Sequence, residues 1–134
     1  MIQSDIKKIV EDLVQTFLDA GKISLDLRRK GLTKEIKSDN TPVSNGDLEV
    51  NKILTKKILS LTPNISIVSE EASENKTRDN LENFWLIDPI DGTYDYINDL
   101  DEFTINAGLI IQKKPVAGLI YAPAKNRMFY SYGN

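Results

Sequence analysis

Apolar positions in the first part of the chain follow the period of an amphipathic helix. They recur at three- and four-residue steps from residue 2 to residue 30, at Ile2, Ile6, Ile9, Val10, Leu13, Phe17 and Ala20. A second stripe runs from Val50 to Leu61, and Ser44 with Asp47 three residues later has the pattern of a capping box. The sequence therefore predicts two long helices, one over residues 2–30 and one that follows Ser44.

The rest of the chain has the shorter apolar runs that are typical of strands. The runs predicted to be strands are residues 65–68, 84–87, 103–111, 116–121 and 128–132. Polar residues at 33–44 predict a short hairpin or ordered loop, and those at 72–83 predict a surface loop. Two helices followed by adjacent strands indicate an α+β fold, with the two long N-terminal helices packed on one face of a largely antiparallel sheet.

The absence of two residue types restricts the catalytic and metal-binding chemistry that the chain can perform. The 134 residues include no Cys and no His, which excludes disulfides, a thiolate nucleophile, a Ser-His-Asp triad and zinc bound through His or Cys. The net charge of -3 does not suggest a nucleic-acid partner. There is no apolar run of transmembrane length and no signal-peptide pattern, so we expect a cytoplasmic protein without membrane association.

Two acidic clusters each follow a predicted strand. Glu70 and Glu71 follow the first, and Asp88-Pro89-Ile90-Asp91-Gly92-Thr93 follows the second. If the two strands are neighbours, the clusters lie at one sheet edge, where crowded carboxylates repel unless protons or cations lie between them. Oxygen ligands favour Mg²⁺ or Mn²⁺. Each cluster alone is equally compatible with a structural role, as turn residues or solvated side chains.

The second cluster also has the features of an anion-binding turn. Gly92 lacks a Cβ atom and lets a ligand approach the main chain, and Thr93 is placed to cap a short helix over residues 94–98. The amides of both residues would then lie at a helix entrance, where phosphate binds well. Divalent metals beside such a turn, two of them about 3.5–4 Å apart, would suit hydrolysis of a phosphate ester.

The segment from Trp85 to Thr93 resembles the signature of the inositol monophosphatase family of Mg²⁺-dependent, lithium-sensitive phosphatases. Glu70-Glu71 resembles its upstream acidic pair, and residues 37–44 resemble its hairpin before the second helix. The resemblance implies a layered α/β sandwich in which residues 1–134 form the N-terminal metal- and phosphate-binding domain. From the resemblance we expect that residues 1–134 do not include the C-terminal domain, which supplies another metal-binding Asp and much of the substrate pocket in the family.

The resemblance implies a role for each site residue. Glu70, Asp88, Asp91 and the carbonyl of Ile90 would bind Mg²⁺, with Mn²⁺ as an alternative and Li⁺ as an inhibitor. Glu70 and Thr93 would be catalytic, because they would orient and deprotonate the attacking water. The residues implied to contact the substrate are Glu70, Ile90, Asp91, Gly92 and Thr93.

The position of Asp47 in the sequence is compatible with two roles. Its position matches a family acidic residue near an additional metal, which would make it an accessory metal ligand. Its place three residues after Ser44 also fits capping of the second helix. The sequence leaves both open.

Two segments favour the 3'(2'),5'-bisphosphate nucleotidase branch of the family. Residues 67–71 resemble its Val/Leu-Ser-Glu-Glu segment, and residues 102–106 resemble its Glu-Phe-Thr-Val-Asn segment. The chain departs from that branch at Tyr94-Asp95-Tyr96, where Lys-Glu-Phe is common, and at Gly46, where Ala is usual. The implied reaction is hydrolysis of the 3'-phosphate of adenosine 3',5'-bisphosphate to AMP and phosphate, in sulfur assimilation.

Two alternatives remain at the level of the sequence. One is that the protein acts on another small phosphorylated substrate, as an inositol-1-monophosphatase or a sugar phosphatase does. The other is a catalytically incomplete metal- or phosphate-binding fragment that needs its C-terminal half. Self-association into a homo-oligomer would be expected of such a fragment, because sheet edges and one sheet face would be exposed.

Overall fold

The computed structural model describes residues 3–70 and 82–133. The first helix, α1, spans Gln3–Lys30, and the second, α2, spans Asn45–Leu61. Both predicted helices are therefore confirmed. The predicted stripe from Ile6 to Ala20 is buried, and Gly21 and Ser24 are buried beside it. Ile2, also predicted for the stripe, lies outside the described residues. No helix in this part of the chain has the length and hydropathy to cross a bilayer.

The hairpin predicted between the helices is also present. Strand β1 (Lys34–Ile36) pairs antiparallel with β2 (Pro42–Ser44). The last residue of β2 is the N-cap of α2, and the capping box is complete: the Ser44 side chain accepts from the Asp47 amide while the Asp47 side chain accepts from the Ser44 amide. The hairpin and α2 are thus joined without a linker, which holds the hairpin tip beside the main sheet.

Five strands form the main sheet. They are β3 (Ser66–Ser69), β4 (Phe84–Asp91), β5 (Thr104–Ile111), β6 (Lys114–Ala122) and β7 (Arg127–Ser131). They are ordered β3-β4-β5-β6-β7, with β3 and β4 parallel and every later pair antiparallel. A short helix, α3 (Thr93–Ile97), links β4 to β5. The predicted α+β fold with a largely antiparallel sheet is confirmed.

Helices α1 and α2 cover one face of the sheet. Trp85 and Ile87 of β4 are fully buried against them, and the Trp85 indole N–H donates to the Thr62 hydroxyl at 3.0 Å. The alternate residues of the strands face the other side, where Leu86, Ile120 and Phe129 line an open groove of about 460 Å³. This is the face that the expected C-terminal domain would cover, and that covering domain stays a prediction.

The structure corrects the sequence interpretation at residues 88–93. A turn was expected after Ile87, but β4 continues to Asp91. Thr93 was expected to cap the short helix, whereas Gly92 is the N-cap, in the left-handed conformation, and Thr93 is the first helical residue. Pairing of these residues with β5 keeps the segment extended, and this tertiary contact could not be read from local turn residues.

Candidate active site

The two acidic clusters meet at one edge of the sheet. Strands β3 and β4 are parallel neighbours with Ser69 opposite Ile87, and the Glu70 amide donates to the Ile87 carbonyl at 3.1 Å. The condition on which the sequence argument depended, that the two strands are neighbours, is therefore met. Glu70 and Asp88 directly follow the last paired positions of the two parallel strands, Glu70 after the end of β3 and Asp88 where β4 extends beyond β3. The carboxyl-terminal side of parallel strands is the usual place for a site in such a sheet.

A cavity of about 340 Å³ lies at this edge. The predicted site residues that line it are Glu70, Asp88, Ile90, Asp91, Gly92 and Thr93. The structure thus brings together every predicted site residue except Asp47, which lies behind the cavity wall. Glu71, the second residue of the acidic pair, lies outside the described residues.

The hairpin supplies a wall that sequence reasoning did not assign to the site. Lys37, Asp39 and Thr41 line the cavity opposite the acidic strand ends. The Asp39 carboxylate accepts hydrogen bonds from the amide and hydroxyl of Thr41, which hold the pKa of Asp39 below its usual value. The polar run of residues 37–41 was the available signal, but turn residues give the same signal.

A bulge in β4 orients the acidic segment. Asp88 pairs with Asn106, whereas Asp91 pairs with Thr104, so one extra residue is inserted on the β4 side. Pro89, which has no amide to donate, lies within the bulge. The Ile90 side chain is buried in the core, only 2% exposed, while its carbonyl oxygen lies 3.1 Å from the hydroxyl oxygen of Thr93. An apolar residue in this polar segment therefore packs inward and leaves its carbonyl at the site.

Glycine is required at the end of this segment for two reasons. Gly92 has a φ of 87°, a conformation that other residues rarely adopt. A Cβ atom built there would lie 2.8 Å from the Glu102 carbonyl oxygen, closer than real Cβ atoms approach backbone. The sharp entry into α3 therefore depends on this residue.

Asp47 is a fully buried carboxylate with a complete set of partners. One oxygen, Oδ2, accepts from the Ser44 amide at 2.9 Å and from the Ser44 hydroxyl at 2.5 Å. The other, Oδ1, accepts from the Thr93 hydroxyl at 2.8 Å. These bonds stabilise a charge that would be costly to bury alone. They favour the capping role for Asp47, and its role as an accessory metal ligand stays a prediction.

Comparison with known proteins decides the family. The sequence model described as "Inositol monophosphatase family" matches residues 5–134. The chain belongs to the inositol monophosphatase family. The family resemblance predicted from residues 85–93 is thereby confirmed.

Individual members of this family match over most of the chain. The 3'(2'),5'-bisphosphate nucleotidase CysQ of Haemophilus influenzae is 39% identical over 114 residues, which cover 84% of this chain and 42% of that protein. The structure of the extragenic suppressor protein suhB from Bartonella henselae superposes with a TM-score of 0.79 at 25% identity, over 90% of this chain and 47% of that one. The chain spans a little under half the length of the relatives it matches.

A more distant match confirms the fold. An IMPase/NADP phosphatase, whose structure is described as complexed with Mg²⁺ and phosphate, has a TM-score of 0.79 at 18% identity. The match covers 97% of this chain and 48% of that one. The helix-on-sheet arrangement described above is therefore the arrangement of this family.

The donor atoms of this family member suit a hard divalent cation. Three of the residues that line the cavity, Glu70, Asp88 and Asp91, carry carboxylates, and Ile90, whose side chain is buried, has its carbonyl to offer. Oxygen ligands are those that Mg²⁺ prefers. Within residues 3–70 and 82–133, no three acidic side chains already converge closely enough to hold a metal. Glu70 and Asp91 are exposed, so rotation about their side-chain bonds is enough to change where their oxygens lie.

Proposed function

We propose that the full-length protein carrying this chain is a Mg²⁺-dependent phosphoric monoester hydrolase that removes the 3'-phosphate of adenosine 3',5'-bisphosphate. The observation that carries the proposal is the shared cavity of Glu70, Asp88, Asp91 and Thr93 at the ends of β3 and β4. The substrate is proposed from the 39% identity with the nucleotidase CysQ of H. influenzae. The products would be AMP and phosphate.

The metal would be held by Glu70, Asp88, Asp91 and the Ile90 carbonyl. When bound, Mg²⁺ would supply Lewis acidity, which makes water more acidic and offsets the negative charge of the phosphate. Mn²⁺ has similar ligand preferences and would substitute for it, and Li⁺ is expected to inhibit. The chain without the metal presents several carboxylates to a dianionic substrate, so binding should require the cation.

Thr93 and Glu70 would act on the attacking water. Because the Thr93 hydroxyl donates its proton to Asp47, its oxygen keeps lone pairs that can accept a hydrogen bond from water. Glu70 lines the same cavity and is the second acceptor. The water would thus be oriented by two oxygens, with Glu70 taking its proton as general base.

The phosphate would bind to the turn that leads into α3. The amides of Gly92 and Thr93 lie at the start of the helix, where backbone N–H groups have no partner within the helix. Ile90 and Asp91 line the same wall of the cavity, and Lys37 adds a positive charge from the hairpin. The phosphate would therefore contact backbone N–H donors on one side and the positive charge of Lys37 on the other.

Phosphate-release assays would test which molecule carries the phosphate that the protein removes. The purified full-length protein would be assayed for phosphate release from adenosine 3',5'-bisphosphate, inositol 1-phosphate and a hexose phosphate, with and without EDTA. We expect turnover that EDTA abolishes, Mg²⁺ restores, and adenosine 3',5'-bisphosphate supports best. Preference for either of the other substrates would contradict the nucleotidase assignment, and EDTA-resistant turnover would contradict the metal assignment.

Residues 1–134 alone provide a second arm of this experiment. The alternative proposal is that this part of the protein binds metal or phosphate but needs the remaining length of its relatives to turn over. EDTA-sensitive phosphate release by residues 1–134 alone would contradict that alternative. Turnover by the full-length protein only would support it, and would leave the proposed reaction intact.

A further inference from the structure

Tyr96 occupies space that a side chain at position 46 would need. A Cβ atom built on Gly46 would lie 2.2 Å from the Tyr96 hydroxyl oxygen and 2.6 Å from the ring atom Cε2. Real Cβ atoms essentially never approach a neighbour that closely, so the tyrosine and the glycine fit only as a pair. Glycine is a poor residue within a helix, and its presence in the first turn of α2 is explained by this contact.

Tyr96 is held firmly in this position. Its side chain is fully buried, and its hydroxyl donates to the Ser24 carbonyl of α1 at 2.6 Å. Its ring packs on Phe103 with centroids 4.9 Å apart, and the Arg28 guanidinium lies 5.8 Å from the ring centroid. The tyrosine therefore joins α3 to α1 and to the start of α2 at one point.

The same two elements are joined a second time at the site itself. Thr93 lies one turn before Tyr96 on α3, and Asp47 directly follows Gly46 on α2. The Thr93 hydroxyl donates to Asp47 at 2.8 Å. Because α3 has only five residues, a displacement of Tyr96 would be transmitted to Thr93 with little room to be absorbed.

We propose that Tyr96 is a positioning residue of the site, whose hydroxyl fills the space beside Gly46 and so fixes Thr93 against Asp47. This inference rests on the proposed phosphatase function, because the quantity that Tyr96 would control is the placement of the Thr93 oxygen. A tyrosine hydroxyl is protonated at neutral pH in any environment of ordinary pKa, so Tyr96 is available to donate to the Ser24 carbonyl. Burial raises the pKa of Tyr96 further, and the Asp47 carboxylate adds to that effect.

The test compares Tyr96→Phe with Tyr121→Phe in the full-length protein. Tyr121 is a matched control, because it is also buried against a glycine, Gly21, and does not line the cavity. We expect Tyr96→Phe to lower kcat roughly tenfold while KM changes less than about twofold, since misplacement of a reacting group acts on the chemical step. Tyr121→Phe should leave both constants within about twofold of wild type.

A double substitution tests the pairing with Gly46. Gly46→Ala alone should lower both the melting temperature and kcat, because the methyl group meets the tyrosine hydroxyl. In Gly46→Ala/Tyr96→Phe the methyl group takes part of the space that the hydroxyl leaves, so the losses should be smaller than the two single effects combined. Fully independent effects would overturn the pairing.

The outcomes separate this inference from the proposed function. An active wild-type protein with unchanged kcat in Tyr96→Phe, measured well below the melting temperature of both proteins, would overturn the positioning role alone. A wild-type protein without any phosphatase activity would overturn the proposed function and the positioning role together. In that second case, non-additive changes in melting temperature for the variants at positions 46 and 96 would still show that the two residues are in contact.

Discussion

The Thr93 hydroxyl donates to the buried Asp47 carboxylate at 2.8 Å, and this bond connects the start of α3 to the capping box of α2. Asp47 thus has two tasks: it closes the first turn of a helix, and it orients the hydroxyl of Thr93, a residue that lines the cavity. The orientation is fixed because Asp47 cannot turn away without breaking its bonds to Ser44. A capping residue is therefore part of the support of the site.

Removing the Thr93 hydroxyl should impair turnover more than folding. Thr93→Val keeps the side-chain shape but cannot orient water, so we expect kcat to fall about 10²-fold or more, the range for loss of an acid–base group. The free energy of unfolding should fall by about 1–3 kcal/mol, because Asp47 loses one buried partner. Steady-state kinetics and urea unfolding measure the two effects.

Thr93→Ser is the matched control for that substitution. It retains the hydroxyl and its bond to Asp47 while removing one methyl group, so most of the activity should remain. Equal loss of kcat in the Ser and Val variants would show that the methyl group, and not the hydroxyl, matters.

The carboxylates at the cavity should be needed for metal binding. We expect Glu70→Gln and Asp91→Asn to raise the Mg²⁺ concentration that gives half-maximal activity, and to lower kcat by orders of magnitude, because each removes a charged ligand. Titration of activity with Mg²⁺ measures both effects. Glu35→Gln is the control, since Glu35 is exposed on β1 and does not line the cavity. Wild-type Mg²⁺ dependence in both site variants would contradict the ligand assignment.

Gly92 should tolerate a side chain less well than Gly31, although both have positive φ. Gly31 has a φ of 99° and open space around it, so Gly31→Ala carries only the backbone penalty of about 1–2 kcal/mol. Gly92→Ala adds a contact of 2.8 Å with the Glu102 carbonyl, so it should destabilise the protein more and also displace the turn that would bind phosphate. Chemical unfolding of both variants checks the order. Equal destabilisation would mean that the backbone near Glu102 shifts at little energetic cost to make room for the methyl group.

Local patterns predicted most of the framework. The apolar stripes of α1 and α2 and the capping box depend on residues close together in the sequence. The parallel pairing of β3 with β4 was not predicted, and the sequence argument only assumed that the two strands are neighbours. That assumption placed Glu70 and Asp88 at one edge correctly. The family resemblance agrees with the match over residues 5–134.

The features that were missed depend on contacts between distant segments. The bulge at Pro89 exists because β4 pairs with β5 beyond Asp88, and no local turn rule contains that pairing. The Asp47–Thr93 bond likewise joins two helices. Gly46 and Tyr96 were noted only as separate departures from the nucleotidase pattern, whereas the structure places them in contact, so that one residue explains the other.

The buried hydroxyl of Tyr96 should make stability depend on pH in the alkaline range. Burial is the main cause that raises the pKa of Tyr96 well above its ordinary value, Asp47 contributes in the same direction, and Arg28 opposes them. An unfolded tyrosine ionises near pH 10, so below that pH both states are protonated and the stabilisation by Tyr96 is complete. As the pH rises from about 10 toward the folded pKa, only the unfolded state ionises, and the free energy of unfolding falls by up to about 1.4 kcal/mol per pH unit.

The stability difference between the wild type and Tyr96→Phe should therefore be constant from about pH 8 to about pH 10 and shrink above that. Urea unfolding of the two proteins across this range measures it, because other titrating groups contribute to both and cancel in the difference. A difference that stays constant up to about pH 11 would show that the hydroxyl ionises equally well in the folded protein, contrary to its burial beside Asp47.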